Sequence, residues 1–342
     1  MRTITAFAVL VISIGSLSAG VRAFGQSTEA LPETEDSVPA PARDRRYSLG
    51  ISSLFGMVYG SAEEIVYPTG STKGEFLSQL LWDMKPLFYC GALLDFSPID
   101  PMEKWSLYSA LSFKAGIPAK TGKMEDRDWQ SVENSALTNY SVHDNESRAA
   151  FWLEGTLGVS FPIKSLFLLS LSANVSYMHF SFTGWGGSFQ YAAETSAGHF
   201  SPIGEAQKGS FGSGKVINYT QDWLIVAPGL SLNARFLSYF SAELFFQISP
   251  LIWCTDLDQH LLTRDQFRDY TRWGLFLEPR GRLAFIPNQR LSLSLDVAYR
   301  YITGSRGQIY VQPSGSDKYI PAGEAGTGLS ILDTGLLCKI RL

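Results

Sequence analysis

Cysteine is scarce in this chain of 342 residues. The three present, Cys90, Cys254 and Cys338, are odd in number and widely spaced, which excludes a closed disulfide framework and matches no zinc-ligand spacing. Charge is scarce too, at 18% of residues against ~25% in ordinary soluble domains. A basic excess is missing, since the formal net charge is −4, so a long basic surface for nucleic acid is excluded. Mean hydropathy is only +0.02, too low for a bundle of transmembrane helices. Aromatics are plentiful instead, with 22 Phe, 15 Tyr and 8 Trp beside 31 Gly. The informative question is therefore where the apolar residues fall.

The first segment addresses compartment. Arg2 precedes an apolar stretch from Ala6 to Ala19, and Val21, Arg22 and Ala23 place small residues at the −3 and −1 positions of a cleavage site. Residues 1–23 therefore read as a secretory signal peptide, too short for a membrane anchor. Residues 24–46 are rich in Pro, Glu and Ser with almost nothing to bury, the composition of a disordered leader.

From Tyr47 to Leu342 one pattern recurs: apolar residues alternate with small or polar ones. Leu291, Leu293, Leu295, Val297, Tyr299 and Tyr301 are interleaved with Ser292, Ser294, Asp296, Ala298 and Arg300, so one face of a strand is apolar and the other polar. Ten such strands are expected, near 47–59, 74–96, 104–116, 150–162, 166–184, 217–236, 239–255, 269–286, 291–303 and 327–342. Their connections alternate between short turns and long polar loops, the latter near 60–73, 117–149, 185–216, 256–268 and 304–326. An even strand count with short turns at one end and long loops at the other is the anatomy of an antiparallel transmembrane β-barrel of the bacterial outer membrane. The expected fold is all-β and ten-stranded, with long extracellular loops and short periplasmic turns. Roughly 30 residues per strand and connection exceed the ~10 needed to cross a membrane, so the barrel is expected to rise above the bilayer.

Ser165 to Ala193 carries no Asp, Glu, Lys or Arg, yet Ser170, Ser172, Asn174 and Ser176 alternate with Leu169, Leu171, Ala173 and Val175, a strand signature. Beyond them Met178, Phe180 and Phe182 are apolar while His179 and Ser181 are not, which predicts a β-bulge near Tyr177–Met178. Glu154, Glu243, Glu278, Arg280, Arg282, Asp296, Arg300, Asp333, Lys339 and Arg341 fall on the polar faces. Ten strands enclose too little space for a wide pore, so these charges are read as ion pairs filling a narrow interior.

Chemistry is then expected at the extracellular rim. Glu125-Asp126-Arg127-Asp128-Trp129 follows the third strand, and in extended backbone Asp126 and Asp128 point the same way ~7 Å apart. Thr255-Asp256-Leu257-Asp258-Gln259-His260 closes the seventh, with Asp256, Asp258 and His260 on one face. Singly, an Asp-x-Asp in a loop is ordinary turn chemistry or a weak cation site, and an Asp-x-His is an ordinary surface. Together on one narrow rim they place four acids and an imidazole around a common mouth. An imidazole accepts a proton near neutral pH, a neighbouring carboxylate fixes its tautomer, and a facing carboxylate pair can hold a water and share a proton. One His among oxygen donors is a poor zinc set, so no metal is expected.

These residues resemble the omptins, outer-membrane endoproteases of Gram-negative bacteria built as ten-stranded barrels. Met124 to Trp129 looks like the family's hydrophobic-x-Asp-x-Asp-Trp segment, and Asp256-Leu257-Asp258-Gln259-His260 like its Asp-x-Asp-x-His. Further matches are Ser78-Gln79-Leu80-x-Trp82, Glu146-Ser147-Arg148 and Phe182-Thr183-x-x-Gly186-Gly187-Ser188, so the resemblance spans residues 47–342. It implies Asp126 and Asp128 as the acids that hold water, His260 as base and Asp258 as its partner. Glu64 and Asp256 would bind the residue before the cleaved bond, two carboxylates favouring Arg or Lys.

The resemblance brings in no cofactor beyond lipopolysaccharide as an activator, and where the family's fifth strand carries Glu and Arg this chain has Tyr177 and His179. The leader 24–46 and the final Leu342, in place of Phe, also depart from the family. The expected protein is a monomeric outer-membrane endopeptidase, its site facing the cell exterior and its partners cationic peptides or proteins and membrane lipid. The alternative from another class is a non-enzymatic barrel, an adhesin or binding protein that keeps the ring only as inherited structure.

Overall fold

A computed structural model describes residues 47–68, 76–99, 104–131, 136–163, 166–236 and 239–342, all within the unit Arg45–Leu342. The expected signal peptide and leader lie outside the described residues. The strands are β1 (Tyr47–Tyr67), β2 (Ser78–Pro98), β3 (Ser106–Gly116), β4 (Ala119–Asp128), β5 (Asn139–Ile163), β6 (Phe167–Tyr191), β7 (Glu194–Ser196), β8 (His199–Phe200) and β9 (Gln207–Ser210). They continue as β10 (Lys215–Phe236), β11 (Phe240–Ser249), β12 (Ile252–His260), β13 (Gln266–Arg272), β14 (Leu275–Asn288), β15 (Leu291–Gln312) and β16 (Ile320–Arg341). One 3-10 turn, Ile203–Glu205, interrupts them.

Every pairing is antiparallel. Following neighbours from β1 leads through β2, β3, β5, β6, β10, β11, β14, β15 and β16 and back to β1. Toward the other end β4 takes the place of β3 between β2 and β5, while β12 and β13 take the places of β11 and β14 between β10 and β15. Each of these pairs, β3/β4, β11/β12 and β13/β14, is one strand broken by a two-residue irregularity.

The period-two pattern is the reason for the two faces. Leu157, Leu171, Leu244, Leu293, Leu295 and Leu336 stand on the exposed face, while their neighbours turn inward. The inner face is layered. At one level Arg300 bridges the Glu154 and Glu278 carboxylates, Arg280 lies 2.5 Å from Glu278, and Arg282 pairs with Asp296 at 2.6 Å. Lys339 reaches Asp95 at 2.7 Å. A cavity of about 400 Å³ is lined by Glu154, Arg280, Arg282, Asp296, Asp95 and Lys339 among others. The expectation of paired interior charges therefore holds for most of the residues named.

Two expectations need correction. No bulge occurs at Tyr177–Met178: pairing with both neighbours runs unbroken through these residues. Ser170, Asn174, Ser176, Met178, Phe180 and Phe182 all point inward, and what changes along β6 is the inner face itself, from polar to aromatic. The expected long loops are also largely strand. β4 occupies part of 117–149, β5 begins at Asn139, β6 runs to Tyr191, and β15 and β16 extend into 304–326. Polar residues on both faces conceal these extensions, because a strand with neither face in an apolar environment loses its alternation.

Removing Arg300 leaves two buried carboxylates without their shared guanidinium, a loss that typically costs about 3–5 kcal/mol. Arg300→Ala is expected to unfold at markedly lower urea than the wild type in a refolding titration, whereas a surface control such as Lys318→Ala is expected to match it.

Candidate active site

The site stands on an aromatic floor. The Trp82 ring stacks on Tyr219 with centroids 5.0 Å apart and on Phe182 at 5.7 Å. Phe180 continues the layer beneath Phe182, and Trp152 meets it edge-on. These rings expose at most 1% of their surface, which separates the ion pairs of the interior from the acids on the other side.

On that other side β12 presents Asp256, Asp258 and His260 on its inner face, since alternate residues share a face. His260 donates through Nε2–H to Asp258 Oδ2 at 2.9 Å, leaving Nδ1 as an acceptor. Phe267, opposite on β13, meets the imidazole edge-on at 5.2 Å. Burial alone would lower the imidazole, but the Asp258 carboxylate outweighs it and raises His260 to about 9.

β4 supplies the second pair. Asp126 accepts from Ser78 Oγ at 3.4 Å, and Asp128 accepts from Asn139 Nδ2 and Gln130 Nε2, each at 3.3 Å. Burial, and then the Asp128 carboxylate, push Asp126 up to about 8 against the pull of His260. Burial raises Asp128 as well. Asp126 lies close enough to Asp258 and His260 for their charges to act on one another, so the two pairs adjoin. Both segments sit on strands rather than in loops, which fixes their separation more rigidly than the sequence reading required.

Glu64 on β1 and Asp256 also come together, with a third acid that sequence reasoning missed. Asp269 of β13 pairs in register with Asp256, and one carboxylate oxygen from each of Glu64, Asp256 and Asp269 lies within 4.8 Å of the others. All three are buried. Asp256 Oδ2 accepts from the Tyr219 hydroxyl at 3.1 Å, whose oxygen accepts from Gln221 Nε2 at 3.0 Å. Trp223 Nε1 donates to Gln221 Oε1 at 2.8 Å, completing the support. Burial and then repulsion from Asp256, Asp258 and its other acidic neighbours hold Glu64 well above the usual carboxylate range. Burial and the same two acids do so for Asp269. Burial also takes Asp256 up to about 8. A signal for Asp269 existed: counting equally outward from the turn after His260 sets residue 269 opposite residue 256.

The remaining motif residues support the groove. Gln79 Nε2 donates to Glu63 Oε1 at 2.6 Å, Trp185 Nε1 to Glu146 at 2.7 Å, and Thr183 to Asn218 at 2.8 Å. Gly187 has φ +98°, and a Cβ there would stand 1.9 Å from the Val142 carbonyl, so only glycine fits. His143 of β5 donates from Nδ1 to the Gly186 carbonyl and accepts from Ser141 at Nε2, 3.0 Å away. Tyr177 and His179 lie off the groove, both bonded to Asp222.

The chain belongs to the omptin family, whose model matches residues 45–336. Among solved structures it is similar to the outer membrane protease OmpT from Escherichia coli, with 19% identity, 86% of this chain and 97% of that chain covered, and a TM-score of 0.75. The translocator domain of the autotransporter NalP from Neisseria meningitidis matches at 8% identity over 100% of this chain and 98% of that one, with a TM-score of 0.35, too low for a shared fold. Comparison with curated proteins found no match.

Asp256 sets a pH dependence of stability. Its folded pKa lies above the unfolded value of about 4, so the folded state keeps a proton that the unfolded chain has released. Stability contributed by that proton is present below about pH 4 and is lost as pH rises toward 8. Melting followed by circular dichroism in detergent is expected to fall across this window, and Asp256→Asn is expected to flatten the fall by at least about 1.4 kcal/mol, the value of one pKa unit.

Proposed function

We propose that the protein is an outer-membrane endopeptidase that cleaves beside basic residues by direct attack of water. In this reading the circuit of pairings is a ten-stranded transmembrane barrel, since only a closed ladder satisfies its backbone in lipid. Its exposed apolar band faces the membrane, and its groove faces the cell exterior. What supports the reading is the hydrogen-bonded His260–Asp258 pair with the Asp126 and Asp128 carboxyls near enough to feel the charge of His260.

The groove supports the following steps. A water lies between the β4 acids and His260. Its oxygen bonds to the scissile carbonyl carbon as Nδ1 of neutral His260 takes a proton, and Asp258 stabilises the imidazolium through its 2.9 Å bond. Asp126, protonated near neutral pH because it is buried, donates to the carbonyl oxygen as that oxygen becomes negative. When the carbon–nitrogen bond breaks, the imidazolium returns its proton to the departing amine, and the oxygen re-forming the carbonyl returns its proton to Asp126. Glu64 and Asp256 hold the basic side chain before that bond. A cationic peptide is also drawn toward a groove of this charge.

Refolded protein is expected to cleave a fluorogenic peptide containing Arg-Arg or Arg-Lys, and His260→Ala or Asp126→Ala to lower kcat/KM by about a thousandfold. Wild type and variants equally inert, with and without lipopolysaccharide, would overturn the reading. Loss of activity to a chelator with recovery on adding zinc would favour a metal mechanism instead.

The pH profile gives a second measurement. His260 works as a neutral base and Asp126 as a protonated acid, so kcat/KM is expected to rise with pH to a maximum between about 8 and about 9 and to fall above it. Because Asp258 is what raises the imidazole, Asp258→Asn is expected to shift that rising limb to lower pH as well as lowering its plateau.

A further inference from the structure

We infer that Asp269 completes, with Glu64 and Asp256, a three-carboxylate pocket that takes the primary ammonium of a lysine side chain, so that lysine is preferred to arginine before the cleaved bond. The inference rests on the peptidase reading and adds a residue and a choice between two cations to it.

The oxygens define the ligand. One from each acid lies within 4.8 Å of the other two, so some point between them is no more than ~2.8 Å from all three, within reach of charge-assisted N–H···O bonds. An ammonium at that point offers three donors and no acceptor, one for each carboxylate. A guanidinium is a planar fork with diverging donors that meets carboxylates side-on in pairs. With three acceptors this close, it would leave the third without a donor.

Independent of proximity, the pocket is short of partners. Asp269 is fully buried, and neither of its carboxylate oxygens has a hydrogen-bond donor, nor does Glu64 Oε2 or Asp256 Oδ1. The leading charges acting on Glu64 and Asp269 are all acidic. Buried polar groups are ordinarily satisfied, so open oxygens on three adjoining carboxylates mark the place of a missing donor.

The test compares peptides identical except for Lys or Arg before the bond, assayed in EDTA with wild type and Asp269→Asn. Wild type is expected to cleave the Lys peptide with a higher kcat/KM than the Arg peptide. In Asp269→Asn the Lys-to-Arg ratio of kcat/KM is expected to fall about tenfold, the scale of one hydrogen bond to a charged group. An unchanged ratio, or a wild type that prefers Arg, overturns the inference.

Calorimetry with n-butylammonium and n-butylguanidinium reads the pocket without catalysis. Tighter binding of the ammonium, lost in Asp269→Asn while heat-dependent gel mobility shows the variant folded, supports the pocket. With that result and no peptide cleaved, the peptidase reading alone fails. No ammonium binding, tighter guanidinium binding, or binding of calcium ion in place of the ammonium overturns the assignment.

Discussion

Stacking of Trp82 between Tyr219 and Phe182 is the contact on which both halves of the molecule depend, because it divides two populations of charge that obey opposite rules. Beneath the rings, Arg300, Arg280 and Arg282 find carboxylates within ion-pair distance, and burial is tolerable because the pairs compensate each other. Above them, Glu64, Asp126, Asp256 and Asp269 repel one another with little positive charge to offset it. Water or a basic side chain reaching across the layer would collapse the difference. Tyr219 belongs to both sides, since its ring stacks in the floor while its hydroxyl holds Asp256.

Repulsion among the acids gives the groove its chemical bias. Protons remain on Asp126 and Asp256 at pH values where free carboxyls have lost them, and a cation that enters can release the strain of like charges. His260 differs from the acids around it, its imidazole raised to about 9 by the Asp258 carboxylate. Its proton is held by Asp258 from the same strand, two residues away, so the imidazole and its partner are placed by β-strand periodicity alone.

Much of this was legible in the sequence where one face of a strand is apolar. Leu291 to Tyr301 announced β15, and the Asp-x-Asp-x-His of residues 256–260 announced its own geometry because i and i+2 share a face. Legibility ended where alternation did. Once a strand leaves the apolar band both faces turn polar, and β4, the start of β5 and the end of β6 looked like loop. The inner face of β6 misled for a related reason. Its change from Ser176 to Met178 imitates a phase slip, although it records only the depth at which the aromatic floor begins. Asp269 was hidden because its meaning depends on pairing with Asp256, a relation between strands that no single stretch of sequence displays.

The same floor has a consequence for the envelope that would hold the protein. Most surface proteins built from a ring of strands raise the question of what leaks through the middle. Here Trp82, Phe180, Phe182, Tyr219 and Trp223 expose none of their surface, and Arg300 with its two carboxylates lies beneath them. In the reading proposed above, a cell carrying many copies would gain a reactive outer face while the packed rings close the path through the middle.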